Sequence, residues 1–282
     1  MVVVGTLNLD IVLRVARMPD MGETVLGRSR TERPGGKGGN QAEAAATSAT
    51  TALIGAVGTD DAADSLLTHQ RRAGVDITHV RRVEGISGQA VIEVDDAGDN
   101  RIVVLPGANA ALGAAEVTAA LDDLDPAIVL TQLESPRAVT VATADWCRRR
   151  DRRFLLNPSP TATLDDDILA AADPLVVNQH EAAFYGGAGS GDGNRDAERL
   201  ARELLTVSRS AVITLGGAAV VVADANAIHR IPVMYVHAGD TTGAGDHFAG
   251  TLAAHLSRGA TLLEASEQAA AAATAFVGRS RT

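Results

Sequence analysis

Gly239-Asp-Thr-Thr-Gly-Ala-Gly-Asp-His-Phe-Ala-Gly250 is a glycine-rich turn that runs into an alanine-rich stretch. The spacing predicts a helix over 243–257. Glycines let a backbone approach a ligand closely, and successive amides at a helix start can point at one anion. Asp246 falls in the first helical turn, beside the amides of Gly243, Ala244 and Gly245. A carboxylate there has two readings. It complements the helix dipole, or it is a base placed where phosphate charge develops.

Outward from this turn, short apolar runs alternate with helical stretches. Residues 2–4, 52–57, 128–131, 154–156, 175–177 and 211–215 read as strands, and 38–49, 61–73, 136–150, 179–185, 195–207 and 261–277 as helices. The runs are continuous rather than alternating, which predicts an α/β fold whose sheet is covered on both faces. Strand, helix, strand repetition predicts parallel pairing with right-handed crossovers. Residues 11–33 and 86–105 differ: they alternate in polarity and carry hairpin signals, as in Asp96-Ala-Gly-Asp-Asn100. Together they predict a small second sheet whose apolar face needs cover from a substrate, the main body or a second copy. Residues 186–194 read as a flexible surface loop.

The 282 residues suit one large α/β domain or two small ones. A formal net charge of −10 repels nucleic acid and anionic membrane, and 2% aromatics are too few for a base-stacking platform. One cysteine, Cys147, excludes an internal disulfide or a cysteine-ligated zinc site. No apolar run approaches the ~20 residues of a membrane helix, and the opening MVVVGTLNLD has no basic leader, so the expected compartment is the cytoplasm. P-loop, GxGxxG, HExxH and GxSxG patterns are missing from the sequence.

Of the 25 basic residues only one is lysine, Lys37, and it sits in Gly35-Gly-Lys-Gly-Gly-Asn-Gln-Ala42. It is either a leftover surface lysine or a site that needs a compact ammonium rather than a planar guanidinium. The segment is either a flexible turn before a helix or a ligand cradle, with Lys37 and Asn40 as side-chain donors. Asn8 and Asp10 alternate to one face after the first strand, where an open α/β sheet binds ligands or simply turns. Asn178 and Glu181 fall at i, i+3 on one helix face, as a capping pair or as water-mediated holders of Mg²⁺. Glu134, in QLESP, is a helix cap or a sugar-hydroxyl acceptor. The arginines of 148–153 read as a solvated helix end, and Trp146 and Cys147 as packing residues.

GTLNLD, GGKGGNQA, QLESP, LNPSP, NQHE, ITLGGAAV and DTTGAGDHFAG occur in that order across residues 2–277. Together they resemble the ribokinase-like family of carbohydrate kinases. The resemblance implies a three-layer α/β/α sandwich with a mostly parallel central sheet and a small β lid, the whole of 1–282 forming a single kinase domain. It implies ATP-dependent phosphorylation of a sugar hydroxymethyl group, foremost the 5-hydroxyl of D-ribose. It also implies a homodimer joined through the lid. Asn8, Asp10, Gly36, Lys37, Asn40 and Glu134 match sugar-contacting positions. Asp246 matches the catalytic base, and Gly243, Ala244 and Gly245 its anion hole. Asn178 and Glu181 match the pair concerned with Mg²⁺ and phosphate, though NQHE differs in its middle residues from the N-E-T-E of many relatives. Thr214 and Gly216 match the nucleotide loop. Asp240 and Thr242 match half of a monovalent-cation site for K⁺, whose other half the family carries on a loop that would lie beyond Thr282. Rival readings are a kinase for deoxyribose, a ketohexose or a nucleoside, and a sugar-binding protein without turnover.

Overall fold

A computed structural model of the chain describes residues 1–186, 196–234 and 241–279. Most of the loop predicted at 186–194, and Asp240, lie outside the described residues.

The chain opens with β1 (Val2–Val4), β2 (Asn8–Val15), β3 (Gly27–Gly35), α1 (Lys37–Ala46), β4 (Ala52–Val57), α2 (Asp61–Arg72) and β5 (Val80–Arg82). The hairpin β6 (Gly88–Val94) and β7 (Asn100–Leu105) leads through a 3-10 turn, Gly107–Ala111, to α3 (Ala114–Leu124) and β8 (Ile128–Thr131). Next come α4 (Arg137–Arg150), β9 (Arg153–Leu156), α5 (Asp166–Ala171), β10 (Ala172–Asn178), α6 (Gln179–Tyr185) and α7 (Ala197–Leu204). Last come β11 (Ala211–Thr214), β12 (Ala219–Ala223), β13 (Ile228–Pro232), α8 (Ala244–Ser257) and α9 (Leu262–Arg279).

Nine strands form one sheet in the order β13-β12-β11-β10-β9-β8-β1-β4-β5. It is parallel from β11 to β5, with β12 and β13 antiparallel at the other edge. Its apolar runs alternate between two cores. Val2, Val4, Phe154 and Leu156 face α3 to α7, while Val3 and Leu155 face α1, α2, α8 and α9. Each buried Val, Leu or Phe side chain stabilises the fold by roughly 1.5–3 kcal/mol relative to exposure, so two covered faces make this the body that holds the fold. The architecture is the expected three-layer sandwich. Trp146 and Cys147 are buried in it.

The order reverses at β1, which has β4 on one side and β8 on the other. That is a topological switch point, where the crevice beyond the strand ends takes ligands. The second sheet, in the order β3-β2-β6-β7, grows out of this point. Only Gly5, Thr6 and Leu7 separate β1 from β2. The buried Asn109 side chain holds Leu7 on both sides: Leu7 N donates to its Oδ1, and its Nδ2 donates to Leu7 O, both at 3.1 Å.

Candidate active site

Apart from Asn8 and Asp10 on β2, most groups of the site hang on the C-terminal edge of the large sheet or on a helix that starts there. Gln132 follows β8, Asn157 follows β9, Asn178 ends β10 and Thr214 ends β11. Facing them are the starts of α1 and α8. These two helices pack so closely that a Cβ on Gly250 of α8 would strike the Gln41 carbonyl of α1. The contact fixes the two helix tips relative to each other.

Before α8, Thr241 to Ala244 form a tight turn in which Ala244 N donates to Thr241 O at 3.1 Å. Gly243, its third residue, has φ 82°, a left-handed conformation that L side chains rarely adopt. Asp246 then stands in the first turn of α8, buried, with one carboxylate oxygen facing each of two amides. Asn40 Nδ2 donates to its Oδ2 at 3.1 Å, and Gln41 Nε2 to its Oδ1 at 2.9 Å. Of the three amides expected to hold an anion, that of Ala244 closes this turn, whereas Gly243 and Gly245 line the adjoining cavity.

That cavity, about 140 Å³, is walled by Lys37, Asn157, Ser159, Asn178, Glu181, Thr214, Gly243, Gly245 and Asp246, with Val176 and Val177 at its floor. A second cavity of about 380 Å³ shares Asn178, Thr214 and Gly245 with it. This one is mainly apolar, lined by Gly216, Val220, Val233, Met234, Phe248, Ala273 and Val277 among others. A small polar chamber thus opens on a larger apolar one, with the amides of the α8 tip between them.

Of the remaining predicted residues, Asn8, Asp10, Gly36, Asn40 and Glu134 lie outside the lining of the polar chamber. Glu134 accepts from Lys37 N at 3.0 Å and from the Thr6 hydroxyl, so it caps α1 rather than the helix that follows it in sequence. Gly36 is the residue before α1, with φ 85°. The Asn8 side chain is buried and accepts from Asn109 Nδ2 at 2.8 Å. Asp10 lies on β2 of the small sheet, with Arg33 Nε 3.8 Å away. Burial pushes its carboxyl up to about 6; Arg33 opposes the rise, and the carboxylates of Glu134 and Asp246 add to it. Asn178 and Glu181 form a reciprocal capping box at the start of α6, each side chain bonded to the other's amide at 2.8 Å, and both still face the polar chamber. Thr214 and Gly216 line the apolar cavity. Thr242 precedes α8, within the tight turn.

The sequence profile of the pfkB family carbohydrate kinases matches residues 1–282. The chain belongs to this family. It is 33% identical to a ribokinase of Lactococcus lactis over 260 residues, covering 89% of this chain and 81% of that protein. Two solved structures superpose on this pfkB carbohydrate kinase over nearly its whole length. A ribokinase from Thermotoga maritima gives a TM-score of 0.87 at 32% identity, over 99% of this chain and 92% of the other. An Arabidopsis thaliana ribokinase complexed with ribose and ATP gives 0.86 at 25%, over 98% and 91%.

Sequence reasoning left three polar residues of this pfkB carbohydrate kinase without a part: the buried Gln41 and Gln132 and the half-buried Asn157. Each lies inside a quoted motif. The one available signal was Gln41 itself, a polar residue within the small-residue helix 37–46. No helix among the described residues is long and apolar enough to cross a membrane.

Proposed function

We propose that this chain transfers the γ-phosphoryl group of ATP to the 5-hydroxyl of D-ribose. The observation that carries the reading is the position of Asp246 beside the two-chambered cavity. The carboxylate faces the polar chamber, and the glycine turn that precedes it separates that chamber from the apolar one. In this reading the adenosine occupies the apolar cavity, with Thr214 and Gly216 along its wall. The triphosphate reaches over the α8 tip, and the sugar lies beneath the small sheet.

Asp246 takes the proton of the 5-hydroxyl. The hydroxyl oxygen's electron pair forms the bond to γ-phosphorus, the bond from phosphorus to the β,γ-bridging oxygen breaks, and ADP leaves with that electron pair. Gly243 and Gly245 present backbone N–H groups where charge gathers on the moving phosphoryl group. Lys37 and Asn40 donate to the sugar, and Asp10 accepts from its hydroxyls. Asn8, Gly36 and Glu134 shape the floor beneath it.

One amide and one carboxylate are too few for a protein-only magnesium cage, but they fit an ion that keeps several waters and rides on the phosphates. Asn178 and Glu181 would hold Mg²⁺ through water, and the ion would supply charge neutralisation. Thr242, with Asp240, would form part of a K⁺ site. The small sheet serves as a lid that excludes water from the sugar. A homodimer would cover β7, whose Ile102, Val103, Val104 and Leu105 are all exposed.

The test is ADP release measured over a panel of pentoses, deoxyribose, ketohexoses and nucleosides, with and without K⁺. The highest kcat/KM is expected for D-ribose. A higher value for another acceptor reassigns the substrate, and ribose binding without ADP release removes the kinase reading.

A further inference from the structure

Gln41, Gln132 and Asn157 form one chain of amides ending on Asp246, with Gln41 and Gln132 buried and Asn157 half-buried. Asn157 Nδ2 donates to the Val176 carbonyl at 2.9 Å. Its Oδ1 accepts from Gln41 Nε2 at 3.1 Å, and the same Nε2 donates to Asp246 Oδ1 at 2.9 Å. Gln41 Oε1 accepts from Gln132 Nε2 at 2.5 Å. Gln41 is 0% exposed and Gln132 1%. Gln132 fits only because residue 5 is glycine: a Cβ there would strike its Oε1.

The chain has a single direction. A backbone carbonyl only accepts, so Val176 decides which end of the Asn157 amide points at Gln41. An ionised carboxylate also only accepts, so Asp246 needs the N–H₂ end of Gln41. Both demands agree, and Gln132 supplies the donor that the Gln41 oxygen then requires. Turning any one amide over would set donor against donor or acceptor against acceptor in a buried place.

We propose that Gln41 is a positioning residue for the base: backed by Gln132 and Asn157, it holds Asp246 Oδ1 and leaves the Oδ2 edge, beside Asn40, to receive the sugar proton. This rests on the reading of Asp246 as the base. It ties five separated stretches of sequence to one carboxylate: Gly5 of GTLNLD, Gln41 of GGKGGNQA, Gln132 of QLESP, Asn157 of LNPSP and Asp246 itself.

The experiment is a double-mutant cycle read in kcat, with KM for ribose and for ATP followed separately. Gln41→Met keeps the side-chain length and removes the amide. It is expected to lower kcat by about 100-fold, a sizeable share of what general-base catalysis contributes, with both KM values within about threefold of wild type. In an Asp246→Asn background the same change is expected to lower kcat by less than about twofold, because the group it acts through has gone. Gln132→Met is expected to show the same non-additivity with a smaller loss of about tenfold, and it carries the test if Gln41→Met does not fold. Equal losses in the two backgrounds overturn the proposal, as does a loss confined to KM. Wild-type turnover in Asp246→Asn alone instead removes the base assignment, and this inference falls with it.

Discussion

In the nine-stranded sheet the consecutive Val2, Val3 and Val4 are all buried; in the four-stranded sheet the consecutive Ile102, Val103, Val104 and Leu105 are all exposed. The residue types are alike, so strand propensity does not separate them. What differs is cover. Helices lie on both faces of the large sheet, whereas β7 is an edge strand exposed along its whole length. The large sheet is therefore covered within the chain itself, and the small one keeps an exposed apolar edge. The proposed chemistry spans that divide. Asp246, Gln41 and the α8 tip belong to the covered body, and Asp10 belongs to the small sheet.

If this division holds, damage on the two sides differs in kind. The largest effect is expected from Asp246→Asn, which removes the proton acceptor from the rigid side. Turnover is expected to fall by about 10³-fold while ribose binding, read by calorimetry, stays close to wild type. Turnover near wild type would show that the rigid side does not carry the chemistry. Lys37→Ala, at the junction, is expected to raise KM for ribose by about 10–100-fold and KM for ATP by much less, since in the proposed reading its ammonium would donate a charge-assisted hydrogen bond to the sugar only. The reverse pattern would move Lys37 to the nucleotide.

Asp10 tests the small-sheet side through pH. Its carboxyl stands at about 6 against a reference of 3.8, raised mainly by burial. The folded protein therefore holds this proton more tightly than the unfolded chain does, and the group's contribution to stability declines as pH rises through that window. Sugar binding runs the opposite way, because only the ionised carboxylate accepts from two hydroxyls. Ribose Kd is expected to rise about tenfold per pH unit below 6 and to lose that slope in Asp10→Asn. A slope unchanged in the variant would assign it to another group. The smallest effect is expected at Val103, 62% exposed on β7. Val103→Asp should move folding stability by no more than about 0.5 kcal/mol, as exposed substitutions do. Sedimentation is nevertheless expected to show the dimer replaced by monomer. A dimer that persists would place the interface elsewhere.

The large sheet was legible because burial on both faces writes itself into sequence as unbroken apolar runs, and Ala52–Val57 and Ile128–Thr131 are strands with the expected limits. Its antiparallel edge was not. Ala219–Ala223 is as apolar as any central strand, but it follows so soon after β11 that the two runs read as one motif. Helix α3 also went unread; it keeps only Val117, Ala120 and Leu121 buried, a stripe too narrow to stand out among alanines. In the site, positions that need glycine, a helix start or an unpaired charge announced themselves. Gln41, Gln132 and Asn157 did not, because an amide that orients a carboxylate is spelled like an amide on the surface. Only the crossing of α1 and α8 over the ends of β8 and β9 brings them together.

Three residues join β1 to β2, and the central one, Thr6, is bonded to the carboxylate that caps α1. A tilt of the small sheet about Leu7 would swing Asp10 through the site and leave Asp246 where it is. In the proposed reading grip and reaction are thus mounted on separate sheets, and the Leu7 pivot, one of several chain passages that join them, is clasped by Asn109. We expect acceptor preference in this chain to shift through replacements around that pivot, such as Asn109→Asp, with every residue that meets the sugar left intact. Comparison of kcat/KM ratios for ribose and deoxyribose in such variants is the measurement that decides it.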